Sequence, residues 1–216
     1  MTPVLYDFFK STASWRVRIA LNLKGVAYEH HGVWIRGEAH KTPEYRTANP
    51  QGLVPALGVG DVVLPQSIAI LDWIEATYPE PALLPHDPLA RAQVLSAALL
   101  IACDIHPLNN RRVLVYLKSE LGLDADAVKT WEGTWIDEGF RGLETQCTGT
   151  PGPFLFGEEP SLADICLVPQ VGNAGRAGID LADYPVLARA HAAMQALPAV
   201  LAAHPDRQPD AVAGGH

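Results

Sequence analysis

The sequence is short of the features that most readily announce a chemistry. Its 216 residues include only three cysteines, Cys103, Cys147 and Cys166, widely spaced and without a CxxC pair. That argues against a disulfide framework or a zinc site and leaves buried, inert thiols as the expectation. His30, His31, His40, His106, His191 and His204 show no metal-ligand spacing on a shared helix face, so no metal site is expected. Positive charge is scarce as well: 16 Lys and Arg against 24 Asp and Glu give a formal net charge of -8 and a pI near 5.4. A nucleic-acid partner would require a basic stripe that this balance does not offer. Long apolar runs are missing too. The longest, Val94 to Cys103, is interrupted by Ser96 and is too short for a bilayer span, and the opening MTPVLYDFF lacks the basic region and apolar core of a signal peptide. A cytoplasmic protein with no membrane partner is expected. What the chain has in plenty is apolar residues, 48% of the total, enough for a sizeable core in one domain or two.

Strand and helix signals alternate through the first third. "VLYDFF" reads as a strand and "VAYEHHGVW" as a second, with a nearly all-apolar helix from about Ser14 to Gly25 between them. Gly25 suits the left-handed position that closes a helix. Arg18 and Asn22, four apart, share the polar edge of that helix. Further on, "LVPALGVGDVVLPQSIAILDWIEATYP" holds two short strands turning at Gly60-Asp61, then a helix from about Gln66 to Tyr78. The order is βαβ followed by ββα, a small mixed sheet with helices on its faces. Pro79, Pro81, Pro85 and Pro88 give the next segment the composition of a linker. Beyond it the spacing predicts helices over Leu89 to Ile105, Pro107 to Leu121, Asp124 to Gln146, Ser161 to Gly172 or slightly beyond, and Pro185 to Ala203. Only "PFLFG" reads there as a possible strand. "SLAD", Ser161 to Asp164, is a capping pattern that starts a helix. The expected domains are 1–82, a linker over 83–88, and a helical domain over 89–216.

Specific words sharpen this outline. "STASWRVRIAL", "NPQGLVPAL", "PQSIAILDWIE" and "DRQPDA" resemble the matching segments of zeta-class glutathione transferases, the maleylacetoacetate and maleylpyruvate isomerases. "CDIHPLNNRRVL" is similar to the bacterial maleylpyruvate isomerases in particular. The resemblance covers essentially the whole chain. It implies an α/β plus all-α architecture: a thioredoxin-like N-terminal domain of order βαβαββα that binds glutathione, then an all-helical domain that binds substrate. It also implies a homodimer and a small dicarboxylate substrate. The one departure is Ala13, where the zeta signature commonly carries cysteine.

Carried over residue by residue, the resemblance makes Ser11 the catalytic serine and Thr12 a second donor. A thiol of pKa about 8.5 is mostly protonated at neutral pH, and a hydroxyl donor at a helix N-terminus favours the thiolate. The sulfur belongs to glutathione, so the protein needs no cysteine of its own. Taken without the resemblance, Ser11, Thr12 and Ser14 read as helix caps, with Ser14 the expected cap. Val54-Pro55 matches a cis-proline turn that exposes the Val54 backbone to the cysteinyl part of glutathione. Gln51, Gln66 and Ser67 join it, with Ser67 and the free N–H groups of the following helix holding the γ-glutamyl carboxylate. His106 and Asn110 are further glutathione contacts from a neighbouring helix or subunit. For the substrate carboxylates the candidates are Lys10, Arg112 beside Arg111, and Arg176, which also counts as catalytic; the planar guanidinium fork suits a carboxylate. Alone, the "RR" pair reads as a solvated helix face and Lys10 as a solvated loop charge. The implied reaction is cis to trans isomerisation of a maleyl dicarboxylate in aromatic-compound catabolism by reversible thiolate addition. The alternative is a broader glutathione transferase or halo-acid dehalogenase. An inactive interaction module would be expected to have lost Ser11 or the Gln66-Ser67 pair.

Overall fold

The computed structural model describes residues 2–213. Its sheet is built from β1 (Val4–Asp7), β2 (Glu29–Gly32), β3 (Ala56–Val59) and β4 (Val62–Pro65), in the order β2-β1-β3-β4. β1 runs parallel to β2 and antiparallel to β3, and β3 is antiparallel to β4. Gly60 at φ +59° makes the β3–β4 turn. The helices α1 (Thr12–Leu23), α2 (Pro43–Ala48) and α3 (Ser67–Thr77) complete a βαβαββα thioredoxin-like order. α1 and α3 pack together, and Val17, Ile19, Ala20, Leu21, Ile70 and Ile74 are buried.

α1 begins two residues earlier than the sequence suggests. Its cap is Ser11, not Ser14: the Ser11 hydroxyl accepts from the Ser14 amide at 3.2 Å. Ser14 is instead fully buried. Gly25, at φ +64°, follows the helix in the left-handed region as expected. Arg16 and Arg18 are buried despite their charge. Arg18 is satisfied by the Asp7 carboxylate at 2.6 Å and by the carbonyls of Phe9 and Ala203, each at 3.0 Å.

The chain divides into two compact units, one of the residues up to Ala82 together with those from Ala196 onward, the other Leu83–Gln195. The expected helical domain over 89–216 runs past this division, its residues from Ala196 on packing with the sheet unit. Pro198 lacks the N–H a continuing helix would use, so the expected Pro185 to Ala203 helix splits into two. These are a helix over Pro185–Gln195 and a short one over Pro198–Ala202. The latter returns to α1, where Asn22 donates to the Ala199 carbonyl at 3.0 Å. The polar edge shared by Arg18 and Asn22 thus receives the returning C-terminal chain. The expected linker is anchored rather than loose: Leu83 and Leu84 are buried, and the Leu83 carbonyl accepts from the Leu162 amide at 2.9 Å.

In the helical unit, α4 (Pro88–Leu99) runs into a π-helical turn over Leu100–Ile105 and a 3-10 turn over His106–Asn109. After these come α5 (Arg111–Ser119), α6 (Ala125–Cys147), α7 (Leu162–Ala177) and the Pro185–Gln195 helix, α8; the short Pro198–Ala202 helix, α9, belongs to the other unit. The helical run Pro88–Ser119 is, by length and composition alone, long and apolar enough to cross a membrane. The run changes helix type midway and is interrupted at Asn110, whose backbone is extended, and α4 packs on α7. "PFLFG" forms only an isolated bridge between Phe154 and Gly157. The capping pattern is realised: Asp164 accepts from the Ser161 amide at 2.9 Å, the Ser161 hydroxyl at 2.6 Å and the Leu155 amide at 2.9 Å. Cys147 and Cys166 are buried, whereas Cys103 is exposed, against expectation. Burial pushes the Cys147 thiol up to about 12.

Candidate active site

Strand register brings three sequence-distant segments to one end of the sheet. Tyr6 pairs with Ala56, and Ala56 pairs with Pro65. The chain leaving β1 toward Ser11, the Val54-Pro55 peptide entering β3 and the Gln66-Ser67 peptide leaving β4 therefore share that end. Val54-Pro55 is cis. Just before it, the Leu53 carbonyl accepts from the Tyr45 hydroxyl at 2.6 Å and from the Asn49 side chain at 2.7 Å, fixing the turn. Gly52, at φ +62°, has no room for a side chain, since a Cβ would meet the His40 carbonyl oxygen at 2.8 Å. Among the described residues the Val54 amide and carbonyl find no hydrogen-bond partner. They form an open strand edge of the kind to which an extended peptide adds.

Gln66 caps α3 at φ +70°, in the left-handed region that a non-glycine residue occupies only when its surroundings compel it. Its side chain donates to Gln51 at 2.8 Å. Ser67 is buried at the first turn of α3, where its hydroxyl accepts from the Arg16 guanidinium at 3.4 Å. Because Arg16 can only donate, the Ser67 O–H is left to donate outward. With the unpaired N–H groups of the α3 N-terminus it makes a carboxylate cradle. Sequence reasoning missed Arg16. A cation in the middle of an apolar helix was the available signal.

Ser11, half-buried, uses an oxygen lone pair on the Ser14 amide and keeps its own proton for a second partner. Capping and thiolate stabilisation are thus compatible roles for one hydroxyl. Thr12 is buried beside it. Lys10 is exposed, its ammonium 5.2 Å from the Phe9 ring centroid.

In the helical unit the Arg176 guanidinium donates to the Gly172 carbonyl at 3.0 Å and to the Asn173 side chain. Asn173 donates to Asn109 at 3.0 Å, and Asn109 to the Ile105 carbonyl at 2.9 Å. Partial burial pulls the Arg176 pKa down, against the opposing charge of Glu132. Burial likewise pushes the Glu132 carboxyl up, opposed by Arg176 and Lys118. The asparagine pair ties Arg176 to the segment carrying His106, Asn110 and Arg112. Asn110 caps α5 by accepting from the Arg112 amide at 3.1 Å, leaving its side-chain NH2 to donate elsewhere. Arg111 and Arg112 are both exposed. Asn109 and Asn173 were missed, although Asn173 stands three residues before Arg176 on one helix face.

Two family models match the chain: the glutathione S-transferase N-terminal domain over residues 5–82 and the glutathione S-transferase C-terminal domain over residues 134–206. The chain belongs to the glutathione S-transferase family, and within it to the zeta class. It is 48% identical over 208 residues to a maleylpyruvate isomerase of a Ralstonia species, covering 95% of this chain and 98% of that one. A solved maleylpyruvate isomerase, a bacterial zeta-class glutathione S-transferase in its holo form, superimposes with a TM-score of 0.93 at 47% identity, covering 96% and 99% of the two chains. The maleylacetoacetate isomerase of Methylobacterium extorquens, solved with malonate and glutathione bound, gives 0.91 at 41% identity, covering 96% and 98%.

Proposed function

We propose that this protein is a glutathione-dependent isomerase that converts a maleyl dicarboxylate, maleylpyruvate or maleylacetoacetate, to its fumaryl form in aromatic-compound breakdown. The observation that carries the reading is the one sheet end that gathers the Ser11 hydroxyl, the open Val54 edge and the Ser67 cradle. Those groups fit the thiol, the cysteinyl backbone and the γ-glutamyl carboxylate of glutathione in turn. Glutathione, when bound, supplies the thiolate whose addition to the double bond permits rotation and whose elimination returns the cofactor unchanged.

Ser11 donates a hydrogen bond to the sulfur and, with Thr12 and the α1 N-terminus, holds the negative charge there. Val54 pairs in strand fashion with the tripeptide, and the cis geometry of Val54-Pro55 presents that edge. Gln51 and Gln66 orient the γ-glutamyl end, and Ser67 takes its carboxylate. His106 and Asn110 are assigned further glutathione contacts. A dianionic substrate needs cations, and the units carry them separately: Lys10 in one, Arg112 and Arg176 in the other. Arg176, its fork held by Gly172 and Asn173, retains N–H donors for a carboxylate and for the charge that develops on the substrate.

A homodimer is part of the same reading. Its support is the exposed Val62 on edge strand β4 and, in the helical unit, exposed Leu89 and Leu99 on or beside α4. A monomer mass by light scattering would remove it. Action in the cytoplasm follows from the reliance on reduced glutathione.

The test is the loss of maleylpyruvate absorbance with and without a trace of glutathione, counting the glutathione that remains. Loss that needs glutathione and consumes none supports the isomerase. Stoichiometric consumption defeats it and favours a conjugating transferase or dehalogenase, the reading that Ala13, in place of the zeta cysteine, would then mark.

A further inference from the structure

The motif "DRQPDA" has no part in the chemistry so far, yet it reaches the turn that carries Ser11. Asp210, 201 positions away in sequence, accepts from the Phe9 amide at 3.0 Å through Oδ2. The carbonyl of the same residue, Phe9, accepts from the buried Arg18 guanidinium at 3.0 Å. Both polar groups of Phe9, two residues before Ser11, are therefore held by side chains from outside the turn. The turn closes on itself through the Ser11 amide, which donates to the Phe8 carbonyl at 2.7 Å.

Behind this clamp runs a chain of polar side chains. Arg18 lies 2.6 Å from Asp7, Asp7 3.3 Å from the His30 ring, and the same His30 nitrogen 3.5 Å from Asp210. The Asp210 side chain is largely buried, 17% exposed. Asp210 packs against Gly32 on β2, where a Cβ would lie in van der Waals contact with the Asp210 Cβ at 3.4 Å.

We infer that Asp210 is a positioning residue for the thiolate-holding turn: with Arg18 it grips Phe9, so the C-terminal segment sets where Ser11 presents its hydroxyl. The inference rests on the reading of Ser11 given above. It assigns to the end of the chain a role in the cofactor's reactivity and none in the cofactor's affinity. Asp210 touches neither glutathione nor substrate in this role.

The experiment compares Asp210→Ala, Asp210→Asn, Gln208→Ala and Ser11→Ala by three readouts. These are hydrogen exchange at the Phe9 amide without glutathione, the pKa of enzyme-bound glutathione from ultraviolet thiolate absorbance, and kcat against KM. In Asp210→Ala the Phe9 amide loses protection, the bound thiol pKa rises by about one unit and kcat falls on the order of 10- to 100-fold. The KM for glutathione stays near wild type. Asp210→Asn keeps an oxygen acceptor and restores all three. Gln208→Ala cuts only bonds from the same segment to the Ala202 and His204 carbonyls; it lowers Tm without moving the thiol. If Asp210→Ala behaves like Gln208→Ala, the residue is only an anchor and the inference falls. Should Asp210→Ala fail to fold, Asp210→Asn still decides: a raised thiol pKa with the Phe9 amide protected would overturn the clamp. Ser11→Ala separates the two ideas. An unmoved thiol there sinks the Ser11 reading, whereas a moved thiol there with none in Asp210→Ala sinks the inference alone.

Discussion

In the unit that carries the sheet, Asp7, Arg16, Arg18, Lys24 and Glu75 are turned inward. In the helical unit Arg111, Arg112 and Arg176 stand at exposed positions, and Asp164 is the one buried charge among its described residues. Arg18 is in an ion pair with Asp7 and Lys24 with Glu75 at 2.6 Å, Lys24 also donating to the Pro79 and Pro81 carbonyls, while Arg16 donates to the Ser67 hydroxyl. A buried charge tolerates only one arrangement, because losing its partner leaves an uncompensated ion. The unit proposed to hold the cofactor is thus locked by interior charges, and the unit proposed to meet the substrate carries its cations at exposed positions, Arg176 among them held by Gly172 and Asn173. A shared cofactor calls for a fixed site, and a variable acyl chain for one that can differ between relatives of the same fold.

Breaking the locked unit should have the largest effect. Arg18→Ala strands Asp7 and frees the Ala203 and Phe9 carbonyls, and is expected to cost about 3–5 kcal/mol in urea unfolding. A loss under 1 kcal/mol would mean that the buried network is not what holds this unit. Ser11→Ala loses the α1 cap at a cost of about 1 kcal/mol, leaves glutathione affinity close to wild type and lowers kcat on the order of 100-fold; unaltered turnover would pass the role to Thr12 or the backbone.

On the helical side the effects are smaller and fall on substrate binding. Arg176→Ala raises the KM for the dianion on the order of tenfold, with glutathione binding unchanged, and a normal KM takes Arg176 out of the site. Arg112→Ala raises it by about a few-fold while Arg111→Ala does nothing, because an exposed charge that meets no ligand contributes little; equal effects would erase the distinction between them.

The smallest effect is in pH. Burial alone would raise the Asp7 carboxyl, but His30, Arg18 and Ser14 together hold it below its ordinary 3.8. The Asp7 carboxylate, 3.3 Å from the ring, raises His30 above 6.5, with burial opposing and the charge of Asp210 assisting. Asp7 therefore adds stability above 3.8 that is lost as acid titrates it. His30 adds stability that is fully present below 6.5 and is lost as pH rises through its raised pKa. Tm measured from weakly acidic to alkaline pH should fall modestly in the wild type and stay flatter in His30→Gln. Parallel curves would show that His30 does not titrate with the fold.

Much of the sheet unit was legible in the sequence because its signals are local. A short apolar and aromatic run marks β1, Gly60-Asp61 marks the hairpin, and "QS" after a strand marks the start of α3. The Ser161-Asp164 cap was legible for the same reason. The words "STASWRVRIAL" and "NPQGLVPAL" carried the resemblance to the glutathione transferases, since a backbone that must fit an unvarying tripeptide restricts residue types in short runs. Three points were not legible. Ser11 took the cap in place of Ser14, because the turn from Phe8 to Ser11 starts the helix two residues sooner than the helical pattern shows. Arg16 and Arg18 read as polar positions, and only their partners across the fold make them interior. The residues after Ala196 read as the end of the helical domain, whereas Pro198 turns them back to α1. The sequence alone thus determined most of the elements, their order and the family, because propensity, capping and turn chemistry act within a few residues. Tertiary structure alone decided which charges are buried, how Asn173 and Asn109 hold Arg176, and that Asp210 closes on Phe9. Those outcomes depend on partners tens to hundreds of residues apart, whose meeting no local pattern records.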